Sequence, residues 1–433
     1  MNYNETLDYL YKQMPLFQQI GSGAYKEGLT NTCALDAHFN HPHKAYRTIH
    51  VGGTNGKGSC SHTLAAMLQE AGYRVGLYTS PHLMDFRERI RVDGQVMDRD
   101  YVVSFVAEHR TFLESLTPSF FEVTTAMAFQ YFASRQVDVA VIEVGLGGRL
   151  DCTNIISPDL CVITNISADH TALLGASAEE IAWQKAGIIK YRTPVVIGEA
   201  TPITRNIFAS VAAELNAPIV FAEDCPEVLE TERLTDGRPL YNTRRYGRIP
   251  GELRGWYQAK NVNTVLHAVN LLRELDYTLT DENVRHGLER VVQLTGLMGR
   301  WQIVQQSPLM VCDTAHNVAG LTIVMEQLRA LKRRRLHIVV GMVNDKDVSG
   351  MMKLLPADAE FYFTQASVER ALPAEELTAI GRSAGLVGDA YTTVVDAVRE
   401  AQKRSLPEDV IFVGGSSFVV ADLLTHRDAL NLH

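Results

Sequence analysis

Cysteine is scarce and scattered in this chain. Cys33, Cys60, Cys152, Cys161, Cys225 and Cys312 are six thiols among 433 residues. They form no C-x-x-C pair and have no histidine partners at zinc spacing. Neither a disulfide framework nor a zinc site is expected, and reduced thiols in a reducing compartment are. No apolar run approaches the roughly 18 residues of a membrane helix. The opening residues Met1 to Glu5 lack the basic stretch and apolar run of a secretory signal. The expectation is a cytoplasmic protein with no membrane partner. A basic excess is missing as well: 41 Lys and Arg stand against 50 Asp and Glu, a net charge of −9. That balance argues against a nucleic-acid partner, while leaving room for a local basic pocket around a small anion. Low-complexity tracts and repeats of solenoid period are absent.

What is present is an ordinary globular composition, 46% apolar and 21% charged, too apolar for disorder. The length fits two or three domains of about 150 residues. Leu7, Leu10, Tyr11 and Met14 fall on one face of an opening helix. From residue 48 the pattern predicts a strand over 48–51, a glycine-rich turn, a helix over 59–71 and a strand over 74–78. Asp93-Gly94 marks a hairpin, and helices follow to about Leu116 and over 122–133. The apolar runs 137–144, 160–164 and 195–197 read as buried parallel strands, with a helix over 178–189. Short β-prone pieces occupy 223–250, and a helix comes next over 259–275. A second alternation starts after Leu294-Thr295-Gly296, with strands over 302–304, 310–312, 337–340, 360–363 and 410–413. This is an α/β pattern. It predicts an N-terminal domain over 1–296, with a mostly parallel P-loop-type sheet, and a smaller C-terminal α/β Rossmann-like domain over 297–433. The one basic run, Lys332-Arg333-Arg334-Arg335, falls at a helix end, where cations complement the macrodipole.

The strongest motif is Gly52-Gly53-Thr54-Asn55-Gly56-Lys57-Gly58-Ser59, between a strand and a helix. Glycines let backbone N–H groups wrap a phosphate, and a helix N-terminus adds partial positive charge. Lys57 can reach β- and γ-phosphates, and Ser59 can cap the helix or bind phosphate. Gly58 stands where a standard Walker loop has Ser or Thr, so position 58 has no hydroxyl for Mg²⁺. Glu143 ends an apolar strand, the edge at which open α/β sheets place ligands. It can hold Mg²⁺, a hard ion that shares oxygen ligands with phosphates, or accept from the glycine-rich turn after it. Ser80, just past the strand that ends at Tyr78, is an oxygen ligand by the same logic, or a turn cap. Ser119-Phe120-Phe121-Glu122 opens a helix. Its aromatics can stack on a flat heterocycle or belong to the core, and Glu122 can bond a heterocycle or be an acid of the helix's first turn.

These segments, in this order, resemble the Mur-ligase superfamily. The loop Gly53–Ser59 looks like its nucleotide loop, and Tyr78-Thr79-Ser80-Pro81-His82-Leu83 resembles its folate-pathway glutamate ligases, dihydrofolate synthase and folylpolyglutamate synthase. Further segments match that pattern: Ile142-Glu143-Val144-Gly145-Leu146-Gly147-Gly148-Arg149-Leu150-Asp151, Asp169-His170-Thr171, Lys185-Ala186-Gly187, Gly299-Arg300-Trp301, Asp313 with Ala315-His316-Asn317, and Asp345-Lys346-Asp347. The resemblance implies a Mur-ligase-type ATP domain joined to a glutamate-ligase domain. Asn55, Gly56, Lys57, Gly58, Ser59, Asn261, Arg300 and Asp313 are then expected on ATP. Ser80, Glu143 and His170 are expected as Mg²⁺ ligands, and a carbamylated Lys185 as ligand to a second Mg²⁺. Ser119, Phe120, Phe121, Glu122, Leu150, Asp151 and Cys152 are expected on dihydropteroate. His316 is expected, with Lys57 and Lys185, in catalysis.

The implied reaction joins L-glutamate to dihydropteroate and to reduced folates. ATP phosphorylates the acid's carboxylate, and the glutamate amine attacks the acyl phosphate. Alternatives are a folylpolyglutamate synthase alone, or a Mur-type ligase of cell-wall precursor synthesis. Two further classes are a P-loop regulatory NTPase, disfavoured by Gly58, and a non-catalytic binding protein. A monomer is expected, with small-molecule partners.

Overall fold

The computed structural model describes residues 1–14, 28–344 and 346–432. By its internal contacts the chain divides into two compact units, Met1–Leu253 with Tyr257–Leu297, and Arg254–Trp256 with Met298–His433.

The first unit is built on an eight-stranded sheet. Its strands are β1 (Arg47–Gly52), β2 (Val75–Tyr78), β3 (Ile90–Val92), β4 (Gln95–Val96), β5 (Val139–Glu143), β6 (Leu160–Ile163), β7 (Val195–Ile197) and β8 (Ile219–Phe221), in the order β4-β3-β2-β5-β1-β6-β7-β8. From β2 to β8 across the sheet all pairings are parallel, and β3 and β4 add an antiparallel edge. β5 and β6 are buried at every position, which is why their sequences run apolar without alternation. The β3–β4 turn is made by Asp93 and Gly94 at φ +48° and +75°, the left-handed pair that an Asp-Gly hairpin supplies.

The chain leaves β1 for β2, returns to place β5 between them, then crosses to β6 on the other side of β1. Connections therefore diverge at the carboxyl end of β1, where open α/β sheets form a ligand crevice. The register puts Val51 beside Glu143, Gly52 beside Ile163 and Tyr78 beside Ile142. The residues just after Gly52, Tyr78, Glu143 and Ile163 thus emerge along one sheet edge. A small antiparallel sheet, β9 (Val228–Arg233), β10 (Pro239–Thr243) and β11 (Gly247–Pro250), accounts for the β-prone segment.

The second unit has a six-stranded sheet: β12 (Gln302–Gln306), β13 (Leu309–Asp313), β14 (Leu336–Val340), β15 (Glu360–Thr364), β16 (Gly388–Tyr391) and β17 (Val410–Gly414), in the order β12-β13-β17-β14-β15-β16. Only β12 is antiparallel. Arg333 uses the basic run as expected: its guanidinium donates to the carbonyls of Leu328, Arg329 and Leu331 at the end of the helix Val318–Ala330.

Several elements exceed the sequence expectation. The helix Thr30–His38 has little amphipathic pattern and forms because it packs against the helix Phe120–Ser134. The helix Pro202–Glu214 starts at a Thr201 capping box with proline in its first turn, a start signal that was readable. β16, Gly-Asp-Ala-Tyr, has little strand propensity and exists as a half-exposed edge paired to β15. Among the described residues no helix is long and apolar enough to cross a membrane. Asp345 of the Asp345-Lys346-Asp347 motif lies outside the described residues, and Asp347 caps the helix Val348–Met352 by accepting from Gly350 N–H.

His50 sits fully buried in β1. Its Nε2 lies 2.8 Å from Thr153 Oγ1, while Nδ1 has no partner among the described residues. Thr153 Oγ1 donates to Asp151, so Nε2 carries the proton and donates to it. Burial, with the Lys190 charge adding to it, pushes the imidazole down from 6.5 to about 3. The unfolded chain therefore takes up a proton that the folded chain refuses. Stability should be intact above pH ~6.5 and fall by ~1.4 kcal/mol per pH unit from there toward pH ~3. Unfolding free energies from urea titrations of wild type and His50→Gln, compared from pH ~7 to ~4, should diverge in slope by that amount, and parallel curves would refute it.

Candidate active site

The loop after β1 leads directly into the helix Lys57–Glu70. Gly53 has φ +132°, and a Cβ there would lie 1.9 Å from Thr164 Oγ1; Gly56 has φ +86°. Side chains are excluded from both by conformation and by space. The loop carbonyls are all taken. Gly52 C=O accepts from Thr164 N–H at 3.0 Å, Gly53 C=O from Lys185 Nζ at 2.8 Å, and Thr54 C=O from Lys57 Nζ at 3.1 Å. Asn55 C=O accepts from Thr164 Oγ1 at 2.6 Å and Asn165 Nδ2 at 3.1 Å, and Gly56 C=O from Cys60 N–H at 2.9 Å. Asn165 also accepts from the N–H groups of Thr54 and Asn55. The N–H groups of the first helical turn cannot be satisfied within the helix, and such a helix start is suited to seat an anion.

Ser167 joins the brace, its C=O accepting from Thr54 Oγ1 at 3.2 Å and its Oγ from Asn55 Nδ2 at 3.3 Å; Thr164, Asn165 and Ser167 were missed from sequence. They come directly after the buried strand β6, and a run of small polar residues at the end of an apolar strand was the available signal. Ser59 is buried and does not cap its helix: its Oγ accepts from Gln258 Nε2 at 3.1 Å. Asn261 is buried beside it, its Nδ2 donating to Gln258 Oε1 at 2.9 Å.

Lys185 lies in the last turn of the helix Ala178–Ala186 and is 5% exposed. Burial, reinforced by the Lys57 charge and opposed by Asp169 and Asp151, lowers its ammonium from 10.5 to about 7. Near neutral pH a sizeable fraction is therefore an uncharged amine, the form that adds carbon dioxide.

Glu143 and Ser80 are brought together, with Ser80 N–H donating to Glu143 Oε2 at 3.1 Å and Glu143 only 4% exposed. The loop after Ser80 is held by Glu88, whose carboxylate accepts from the N–H groups of Leu83, Met84 and Asp85 at 2.8, 3.0 and 2.8 Å. His170 is in the left-handed region at φ +51° and caps the short helix Thr171–Leu174, its Nε2 3.9 Å from Asp169 Oδ1. Ser80 and Glu143 are hard oxygen donors on adjacent strand ends, a set that suits Mg²⁺ with phosphate and water completing its shell. Among the described residues no three His, Cys, Asp or Glu side chains form a closed metal cage, so an ion here would depend on substrate oxygens.

Ser119 and Glu122 form a capping box on the helix Phe120–Ser134, with Glu122 Oε2 accepting from Ser119 N–H at 2.6 Å and Asn31 Nδ2 3.5 Å away. Phe120 is core, packed on Phe86 and Tyr11. Phe121 is half-buried and lies over Gly145, where a Cβ would be 2.3 Å from its ring. Asp151 organises the Gly145–Leu150 loop, accepting from Leu146 N–H, Thr153 N–H and Thr153 Oγ1. Leu150 and Cys152 flank it, both half-exposed.

In the second unit, Asp313 ends β13 and accepts from Trp301 N–H at 2.7 Å and Ala315 N–H at 2.8 Å. It thereby clasps the Gly299–Trp301 turn, in which Trp301 takes φ +45°. Arg300 Nη1 donates to Thr314 Oγ1 and, at 3.3 Å, to Gly299 C=O. His316 Nδ1 donates to Thr314 C=O at 2.9 Å, which leaves Nε2 as the basic nitrogen of the neutral ring. Asn317 caps the helix Val318–Ala330.

Residues 51–262 match the family model of the Mur ligase middle domain, and 299–417 that of the Mur ligase, glutamate ligase domain. The chain is 33% identical to the dihydrofolate synthase/folylpolyglutamate synthase of Bacillus subtilis, over 92% of this chain and 94% of that one. It is 34% identical to a probable bifunctional folylpolyglutamate synthase/dihydropteroate synthase of Haloferax volcanii, over 98% of this chain but only 50% of that protein's length. Escherichia coli FolC in complex with DHPP and ADP superposes with TM-score 0.84 at 31% identity, covering 100% and 99% of the two chains. A bifunctional folylpolyglutamate synthase/dihydrofolate synthase with Mn, AMPPNP and L-glutamate bound superposes with TM-score 0.81 at 31% identity, covering 100% and 98%.

Asn165→Ala removes both the donor to Asn55 C=O and the acceptor for Asn55 N–H. With about 1 kcal/mol per lost bond, ADP affinity measured by calorimetry should fall about tenfold or more. Unchanged affinity would show that the loop holds its shape without this brace.

Proposed function

The chain belongs to the Mur-ligase superfamily, in its dihydrofolate synthase/folylpolyglutamate synthase branch, and is an ATP-dependent ligase that adds glutamate to folates; on that footing we propose that it glutamylates both dihydropteroate and reduced folates through an acyl phosphate. The observation that carries the nucleotide half is the braced loop, with its carbonyls occupied and the N–H groups of the next helical turn left for phosphates. The folate half rests on similarity over the whole chain to FolC complexed with DHPP and ADP.

In this reading Asn55, Gly56, Gly58 and Ser59 hold the phosphates with Lys57, whose ammonium offsets charge that grows on the γ-phosphoryl group. Asn261 contacts the nucleobase. Ser80 and Glu143 would hold a divalent ion, with His170 as a further ligand, and a carbamate on Lys185 would hold a second. A bound ion supplies charge neutralisation on the ATP phosphates. Two Mg²⁺ ions are our reading; divalent-metal use is supported by the Mn-bound relative. The lowered ammonium of Lys185 favours carbamate formation, because only the neutral amine is a nucleophile.

Phe121, over the Gly145 turn, offers a flat face for a heterocycle, with Ser119, Phe120, Glu122, Leu150, Asp151 and Cys152 around it. Arg300 and Asp313 are proposed for the nucleotide, Arg300 because a guanidinium forks onto phosphate oxygens and stays charged. His316 is proposed to assist glutamate attack through its basic Nε2. Six free thiols suit the cytoplasmic location this reading implies, and a monomer is proposed.

Purified protein with ATP, Mg²⁺ and glutamate should glutamylate dihydropteroate and tetrahydrofolate when each is supplied separately, with products read by mass. Activity on tetrahydrofolate alone would restrict the enzyme to polyglutamate extension, and activity on neither would refute the proposal. Lys185→Ala should lower kcat about 100-fold or more, the scale of losing one preorganised electrostatic group, with partial rescue by added short carboxylates. A fully active Lys185→Ala enzyme would remove the carbamate role.

A further inference from the structure

The phosphate loop and the helix Gln258–Glu274 are joined by a buried relay of three side chains. Asn261 Nδ2 donates to Gln258 Oε1 at 2.9 Å, and Gln258 Nε2 donates to Ser59 Oγ at 3.1 Å. Gln258, Ser59 and Asn261 are 1%, 1% and 7% exposed. The far end of the relay touches the loop again, because Asn261 Oδ1 lies 2.3 Å from where a Cβ on Gly56 would be. Gln258 thus bridges the two residues proposed above for opposite ends of the nucleotide, Ser59 for the phosphates and Asn261 for the nucleobase.

The direction of the bonds gives the relay its consequence. A hydroxyl has one proton to donate and two lone pairs. Ser59 Oγ spends a lone pair on Gln258 and donates to no acceptor among the described residues, so its own proton is left to donate to an anion. At the other end Gln258 Oε1 takes a proton of Asn261 Nδ2, which orients that amide with Oδ1 turned against Gly56. An amide is the one side chain of this length that can accept at one end and donate at the other. A glutamate would draw the Ser59 proton onto itself, and a methionine would leave both ends unpartnered.

We propose that Gln258 is a positioning residue for nucleotide binding, holding Ser59 as a donor to phosphate and Asn261 in register with the nucleobase, so that the two ends are set together. This rests on the reading of Ser59 and Asn261 as nucleotide contacts. It adds to that reading that neither contact is independent of the other, and that a residue with no ligand contact of its own couples them.

The test is ADP affinity by calorimetry on the full chain, with thermal melts to confirm folding, for Ser59→Ala, Asn261→Ala and their double variant, each with Gln258 and with Gln258→Met. With Gln258 present, each single change should weaken ADP about tenfold, and the double should fall short of the product by at least about fivefold, because cutting either end releases the shared amide. In the Gln258→Met background the two losses should multiply. Losses that multiply while Gln258 is present would overturn the relay and leave both contacts standing. Asn261→Ala with unchanged ADP affinity would overturn the nucleobase reading itself, and the relay with it. Gln258→Glu is the second variant, should Gln258→Met fail to fold: it should match Ser59→Ala in ADP affinity and add nothing when combined with it, whereas wild-type affinity would overturn the proposal.

Discussion

The N–H and C=O of a peptide plane point in opposite directions, and a loop can turn N–H groups toward a phosphate only if its carbonyls are satisfied elsewhere. In this protein that constraint organises the first unit. Five consecutive carbonyls, Gly52 to Gly56, accept from Thr164, Lys185, Lys57, Asn165 and Cys60. These donors come from three separate stretches of chain, and the sheet order makes them neighbours: β6 lies beside β1, so the residues after Ile163 can reach those after Gly52. Burying the loop among donors keeps it rigid before any ligand arrives, which limits the ordering cost of binding. The glycines at 53 and 56 are needed because the braces approach too closely for a Cβ.

The same arrangement explains how a chain of net charge −9 holds anions. Two lysines converge on one loop, where two full positive charges would repel. Burial and the charge of Lys57 lower the Lys185 ammonium to about 7, so the pair does not need to carry both charges. Acidic groups stand just beyond, with Glu143 against Ser80 and Asp169 beside His170. The local field is mixed rather than uniformly basic, which suits a phosphate accompanied by a divalent ion better than a bare phosphate. Surface charge at a distance counts for little in such a pocket, since salt screens it within about 8–10 Å.

Some of this was open to sequence reading. The apolar runs of β1, β5 and β6, the Asp93-Gly94 hairpin and the glycine-rich loop all carry local signals, because burial on both faces, left-handed turns and close backbone approach each restrict residue type. The capping box at Ser119 and Glu122 was legible in the same way. Thr164, Asn165, Gln258 and Glu88 were not singled out. Each works by hydrogen-bonding a segment of backbone or a side chain, and a polar residue after a strand or at a helix start has many ordinary uses. β16 and the helix Thr30–His38 escaped for a related reason: their own residues barely favour the structure, and their neighbours impose it.

The sequence by itself determined the α/β class, the family and the identity of the loop lysine, since these depend on periodicity within short windows and on an ordered set of motifs. Only the tertiary structure decided which groups satisfy the loop carbonyls, that Lys185 is buried against Gly53, that Ser59 is tied to Gln258 rather than capping its helix, and that Ser80 and Glu143 share one strand edge. The bonds of Ser80 to Glu143, Lys185 to Gly53 and Gln258 to Ser59 join residues 63, 132 and 199 positions apart. Hydrogen bonds of that separation leave no period in the chain and exist only once the strands have taken their order in the sheet.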